Sequence, residues 1–264
     1  MTENISLDTV REQGRTIYDK LRLLTHPLAI RFIADLDEIP KGAFRPSAFG
    51  KKMTLCQGFT LSRRSGNTVA FTLEDNVCVA SSLAHGWEEL EIADVLKSQD
   101  LAHYYADMES LVKSGMTRKL MPPKQFKGML IAPLQKTVFE PHVALIYGNP
   151  VVMHHLIAAL SFHGRVINSN FYITGESCLK GLITPYLTKE PQVVIPGLGD
   201  RMNSMTGEDE MAMGIPAELL QETVDNLLVG KIGHPVSSLL PDVPENLTPA
   251  WPYLRAKLKE KAKE

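Results

Sequence analysis

The sequence predicts an α+β domain, a single mixed sheet covered by helices, and three observations lead there. Apolar residues at helical spacing alternate irregularly with short apolar runs of strand length. Of the 264 residues 44% are hydrophobic, enough to bury a substantial core. No internal repeat and no linker-like stretch divides residues 1–233, which read as one domain; residues 234–264 read as a Pro-rich extension ending in a basic helix.

Val10, Ile17, Leu21 and Leu24 recur at helical spacing behind a start signal at Ser6 to Asp8, and His26-Pro27 stops the pattern. Leu28-Ala29-Ile30-Arg31-Phe32-Ile33 then reads as a buried strand carrying one charge. A loop with Pro40, Gly42 and Pro46 leads to a helix over about 53–64, closed by Ser65-Gly66, and to a strand over 68–73. Two helical patterns lie between residues 88 and 115, the second carrying Leu101, Tyr104, Tyr105, Met108, Leu111 and Val112 on one side. Strands follow over 128–134 and 142–147, and Asn149-Pro150 opens a helix to about 162. The remaining elements are a helix over 176–187, a strand over 192–195, a helix over 216–229 and the terminal helix over 251–263.

A net charge of −2, with 28 Lys and Arg spread along the chain, argues against a nucleic-acid partner. No apolar run is long enough to cross a membrane and the first ten residues are polar, so a cytoplasmic protein is expected. Thiols stay reduced in that compartment, so three cysteines read as structural thiols, a metal site or a nucleophile before they read as a disulfide framework.

Those cysteines are far apart. Cys56 shares a helix face with Phe59 and Arg63, at i+3 and i+7. Cys78 leaves the end of a strand and enters a loop at Ala80-Ser81-Ser82. Cys178 follows Gly175-Glu176-Ser177 in the first turn of a helix, where free N–H groups favour a thiolate, so its pKa is expected to be the easiest to lower. Each thiol alone fits inert packing as well as ligation. Together they suit an iron–sulfur cluster or zinc, with one coordination position left for substrate, water or a histidine such as His85, His154, His155 or His163. A second dense block runs Pro196-Gly197-Leu198-Gly199-Asp200-Arg201. Gly199, Asp200 and Arg201 could bind an anionic ligand, or form a turn in which Arg201 pairs with Glu208, Asp209 or Glu210.

The order of these blocks resembles the domain of unknown function 169 family, found in archaea and many anaerobic bacteria. The resemblance is carried by residues 27–32, Cys56-Gln57-Gly58, Glu74-Asp75 leading to Cys78, Tyr147-Gly148-Asn149-Pro150, Gly175-Glu176-Ser177-Cys178, Gly199-Asp200-Arg201, and the stretch from Glu210-Met211 to Gly214-Ile215-Pro216. It implies that the cysteine blocks and the Gly-Asp-Arg block belong to one recurring arrangement. Two departures stand out: Val79-Ala80-Ser81-Ser82 where members tend to have glycines, and Pro196-Gly197-Leu198 where many have a cysteine. A four-thiolate site is therefore incomplete in this chain, which leaves an open-coordinate cluster, a histidine or water as fourth ligand, or a member without metal.

The expectation is an enzyme, a lyase or oxidoreductase, with a centre on Cys56, Cys78 and Cys178 and a small anionic substrate oriented by Arg201 and Arg31. The alternative is a non-catalytic binding protein or a homo-oligomeric accessory protein whose cysteines are structural.

Overall fold

Six strands form one sheet in the order β2-β3-β1-β4-β6-β5. They are β1 (Leu28–Ile33), β2 (Val69–Thr72), β3 (Gly128–Pro133), β4 (Val143–Gly148), β5 (Gln192–Val194) and β6 (Met211–Pro216). All five pairings are antiparallel, and two isolated parallel bridges, Phe44 with Val69 and Met53 with Asn76, extend the pattern outside the strands. The computed structural model describes residues 6–89, 104–172, 176–229 and 250–261. The chain forms two units, Met1–Ile232, which holds the sheet, and Gly233–Glu264, whose described part is a helix, Ala250–Lys261. The first helical pattern expected after residue 88 and the Pro-rich stretch after residue 233 lie outside the described residues.

Strand alternation sorts the apolar side chains into two layers. Ala29, Ile33, Ala144, Ile146, Met213 and Ile215 pack on one face with three helices: α1 (Leu7–Lys20), α5 (Pro150–Leu160) and α8 (Leu220–Val229). Leu28, Ile30, Phe32, Leu145, Tyr147 and Ala212 pack on the other with α2 (Leu55–Ser65), Leu179 and Leu182, and α6 (Ile183–Thr188). Helices on both faces explain why the strands are near-continuously buried and why β1 and β4 read so clearly as strands. Between β2 and β3 lie α3 (Val79–Ala84) and α4 (Met108–Met116); between β5 and β6 lies α7 (Leu198–Asn203).

Helix boundaries follow local chemistry. Thr54 and Gln57 form a reciprocal capping box that starts α2, and Gly66, at φ 77°, ends it in the left-handed region. Asn149 caps α5, with Pro150 at the first helical position.

Three segments differ from expectation. Residues 211–216, to which the sequence reading assigned no strand, are the inner strand β6. Gly214 and Pro216 obscured it, and both have a structural reason. A Cβ on Gly214 would collide with the Gly181 carbonyl, so the glycine lets the Cys178 segment lie directly on the sheet. The helix expected over 176–187 is broken: Glu176–Lys180 is a π-helical turn, and α6 begins only at Ile183, after Gly181. Finally, Cys78 is not within a loop but is the N-cap residue of the short helix α3.

Candidate functional site

The three cysteine blocks meet in the layer that holds α2. The parallel bridge between Met53 and Asn76 lays the strand exit beside the start of α2, through Met53 N–H to Asp75 O (2.9 Å) and Val77 N–H to Met53 O (3.0 Å). Cys56 comes three residues after one bridge partner and Cys78 two residues after the other. The carboxylate of Asp75, fully buried, holds this corner by accepting from Thr72 N–H (2.9 Å), Ser47 N–H (2.9 Å) and Arg45 (3.0 Å). Asn76 then braces the turn: its amide donates to Cys78 O (2.9 Å), Ser81 Oγ (2.7 Å) and Ser82 Oγ (3.0 Å). The Glu74-Asp75 and Ser81-Ser82 residues that flank Cys78 are thus the framework of the turn into α3.

Cys178 arrives from the π turn, a feature that concentrates at functional sites. Its thiol acts on that of Cys56 more strongly than any other group, and with burial and the nearby Asp200 and Cys78 it pushes the Cys56 thiol far above its ordinary pKa. Cys56 and Cys178 are 9% and 8% exposed, and Cys78 is half-buried. On the other side of Cys56 lies α7: a Cβ added to Gly199 would stand 3.6 Å from Cys56 Sγ. The sequence blocks built on Cys56, Cys78, Cys178 and Gly199-Asp200 therefore converge.

A polar network stands behind the thiols. Asp200 is 3% exposed and its Oδ1 accepts from Tyr147 Oη at 3.0 Å; burial raises its pKa despite hydrogen-bonding and charged neighbours that favour the carboxylate. Burial and Asp200 together push the Tyr147 phenol well up. The Ser177 hydroxyl lies close enough to act on both groups but makes no aligned hydrogen bond with either. Arg63, 1% exposed, has its guanidinium 4.3 Å from the Tyr147 ring centroid and donates to both Glu210 oxygens at 2.7 and 3.2 Å. It also donates to Ser204 O at 3.3 Å, and Thr60 Oγ1 donates to the same carbonyl at 2.6 Å, which ties α2 to the end of α7. Burial would raise the Glu210 pKa, but the bonds from Arg63 and Gly207 N–H outweigh it and the net shift is downward. Of this network, Arg63 had a sequence signal, its i+7 position from Cys56. The roles of Tyr147, Ser204 and Glu210 had none, because they come from three separate parts of the chain.

His85 closes α3, with its ring 1% exposed between Trp87 (5.3 Å between centroids) and Phe32 (5.8 Å). Burial lowers its pKa to about 4, opposed by a weak interaction with the Cys178 backbone, and neither ring nitrogen has an aligned hydrogen bond. The other candidate histidines are elsewhere: on α5, across the sheet, His155 is buried and His154 exposed, and His163 lies exposed just beyond the helix. Arg31 shares its strand face with Ala29 and Ile33, opposite the cysteine layer, and pairs with Glu38 at 3.2 Å and with Glu140 O at 3.2 Å. Arg201 is exposed and donates to Gly207 O at 2.8 Å; Glu210, one of its expected partners, belongs to Arg63. Beside the Cys78 turn a cleft of about 660 Å³ is lined by Val77, Val79, Glu74, Glu88, Lys52 and Lys127, among others.

Among the described residues, no group of three or more His, Cys, Asp or Glu side chains surrounds one point as a single metal ion requires. Among the same residues no helix is long and apolar enough to cross a membrane.

The chain is similar to the uncharacterised protein MJ0308 of Methanocaldococcus jannaschii, with 19% identity over 224 residues covering 84% of this chain and 94% of the relative. No solved structure matches it. The model of the DUF169 family, described as uncharacterised ArCR, matches residues 16–226, which takes in the sheet, all three cysteines and the Gly-Asp-Arg block: the chain belongs to that family.

Proposed function

We propose that the protein is a cytoplasmic metalloenzyme in which Cys56, Cys78 and Cys178 ligate an iron–sulfur cluster, in preference to a single zinc ion. The observation that carries this reading is the meeting of three thiols, remote in sequence, around Cys56 in a buried layer. Electrostatics support it. Cys56 feels three acidic neighbours, Cys178, Cys78 and Asp200, while the nearby buried cation, Arg63, is taken up by Glu210. A bound multivalent cation would replace the thiol protons and turn mutual repulsion into ligation. Cluster ligands stand further apart than those of one ion, so three thiols carried by three separate segments suit a cluster better.

A cluster with an open iron supplies Lewis-acid or one-electron chemistry, the basis of a lyase or an oxidoreductase. A small anion is the substrate class that the surroundings favour. Arg201 offers its remaining N–H groups next to Asp200, and in the cleft beside the Cys78 turn Arg45, Lys52 and Lys127 outnumber Glu74 and Glu88. Protein purified without oxygen should contain iron and acid-labile sulfide and absorb in the visible; colourless protein free of iron and zinc under those conditions refutes the reading.

The low exposure of Cys56 and Cys178 favours a second reading, a non-catalytic binding protein with structural thiols. It requires a Cys56→Ser, Cys78→Ser, Cys178→Ser protein to fold and bind its ligand unchanged.

A further inference from the structure

We propose that the His85 imidazole is the nitrogen ligand of this centre, which makes it a three-thiolate, one-histidine site. The inference rests on the cluster reading above and fills the position that the missing fourth cysteine leaves open, so of the two chemistries named there it keeps the one-electron one.

The ring is almost wholly enclosed, and neither Nδ1 nor Nε2 makes an aligned hydrogen bond. Protein interiors leave few buried polar atoms unmatched, and each one calls for a partner. The polar group acting on this ring is the backbone of Cys178, a proposed ligand. Cys78 and His85 bracket the same short helix, α3, as its N-cap and C-cap, and the π turn bearing Cys178 packs against that helix. Phe32 and Trp87 flank the ring, which limits its rotation and pre-orients it, as ligating histidines need.

The competing donors are less suited. Asp200 already accepts from Tyr147 and Ser204, so its carboxylate has partners without a metal. His154 and His155 sit on α5, on the far face of the sheet. Tyr147 is committed to Asp200 and packs under Arg63.

The test is pulsed EPR on full-length protein reconstituted anaerobically with ferrous iron and sulfide, then reduced, using samples with natural-abundance and ¹⁵N-labelled histidine. The expected result is a histidine nitrogen coupling that changes with the label and disappears in His85→Cys while iron is retained. The labelled wild-type sample needs no substitution, so a misfolded variant does not blunt the test. Loaded wild type without a histidine coupling, or a coupling that survives in folded His85→Cys, overturns the inference and leaves the three-thiolate reading standing. Wild type that takes up no paramagnetic cluster overturns both.

Discussion

Replacing Glu210 by Gln should destabilise the protein more than any single surface change, because it strips the counter-charge from Arg63. The Arg63 side chain is fully enclosed, and Glu210, 15% exposed, accepts two bonds from it at 2.7 and 3.2 Å. Removing one partner of a buried pair typically costs about 3–5 kcal/mol. The lower end applies here, since Arg63 keeps bonds to Ser204 O and Thr206 Oγ1 and its stacking on Tyr147. At roughly 2–4 °C per kcal/mol for a chain of this size, a loss of about 3 kcal/mol lowers the melting temperature by about 6–12 °C. Urea denaturation followed by circular dichroism measures it, with the Arg63→Met, Glu210→Leu pair as the control. The pair should recover much of the loss, because it removes both charges and fills the space with apolar atoms. A Glu210→Gln change within about 0.5 kcal/mol of wild type, or a double variant as unstable as the sum of the singles, refutes the assignment of this ion pair as the staple between α2 and the residues after α7.

Acid should weaken the metal-free protein through His85. Its folded pKa, about 4, is below the unfolded value of 6.5, so between those values the unfolded chain binds more protons. Stability is full above pH 6.5 and falls by about 3 kcal/mol as pH drops to 4; His85→Phe should flatten that limb of the pH profile, and an unchanged slope counts against the burial of the ring. Gly214→Ala should lower stability by at least 1–3 kcal/mol, since the new methyl meets the Gly181 carbonyl on the neighbouring turn; a soluble variant with an unshifted urea midpoint contradicts the close approach of the π turn to β6. Asp75→Ala removes the acceptor shared by Thr72, Ser47 and Arg45 and should speed alkylation of Cys78 severalfold, read by mass spectrometry, while wild-type rates would mean the turn is held by Asn76 alone.

Most of the sheet was legible because its strands are short apolar runs between clear punctuation: Pro27 before β1, Gly66 before β2, Asn149-Pro150 after β4. β6 was hidden by the residues that give it its place. Gly214 is there for close backbone approach and Pro216 ends the strand, so a local reading of propensity sees a loop where the fold has an inner strand. The break at Gly181 has the same origin, since only the contact with β6 shows why that segment cannot continue as an α-helix. At the candidate site the cysteines and Gly199-Asp200 were visible as composition, but their meeting depends on the Met53–Asn76 bridge and on the Thr60 and Arg63 bonds to Ser204, contacts between distant parts of the chain. Arg31 illustrates the limit from the other direction: a lone charge in an apolar strand looks functional, yet its partner is Glu38, seven residues on, and strand parity turns it away from the thiols.

The convergence of Cys56, Cys78 and Cys178 on one metal centre is tested most directly by X-ray absorption at the iron edge of protein purified under nitrogen. The expected result is a sulfur shell near the ~2.3 Å of metal–thiolate bonds, with an iron–iron vector beyond it, both lost when the three cysteines are replaced by serine. A first shell of oxygen or nitrogen only, or a wild-type spectrum unchanged in the triple variant, would contradict it.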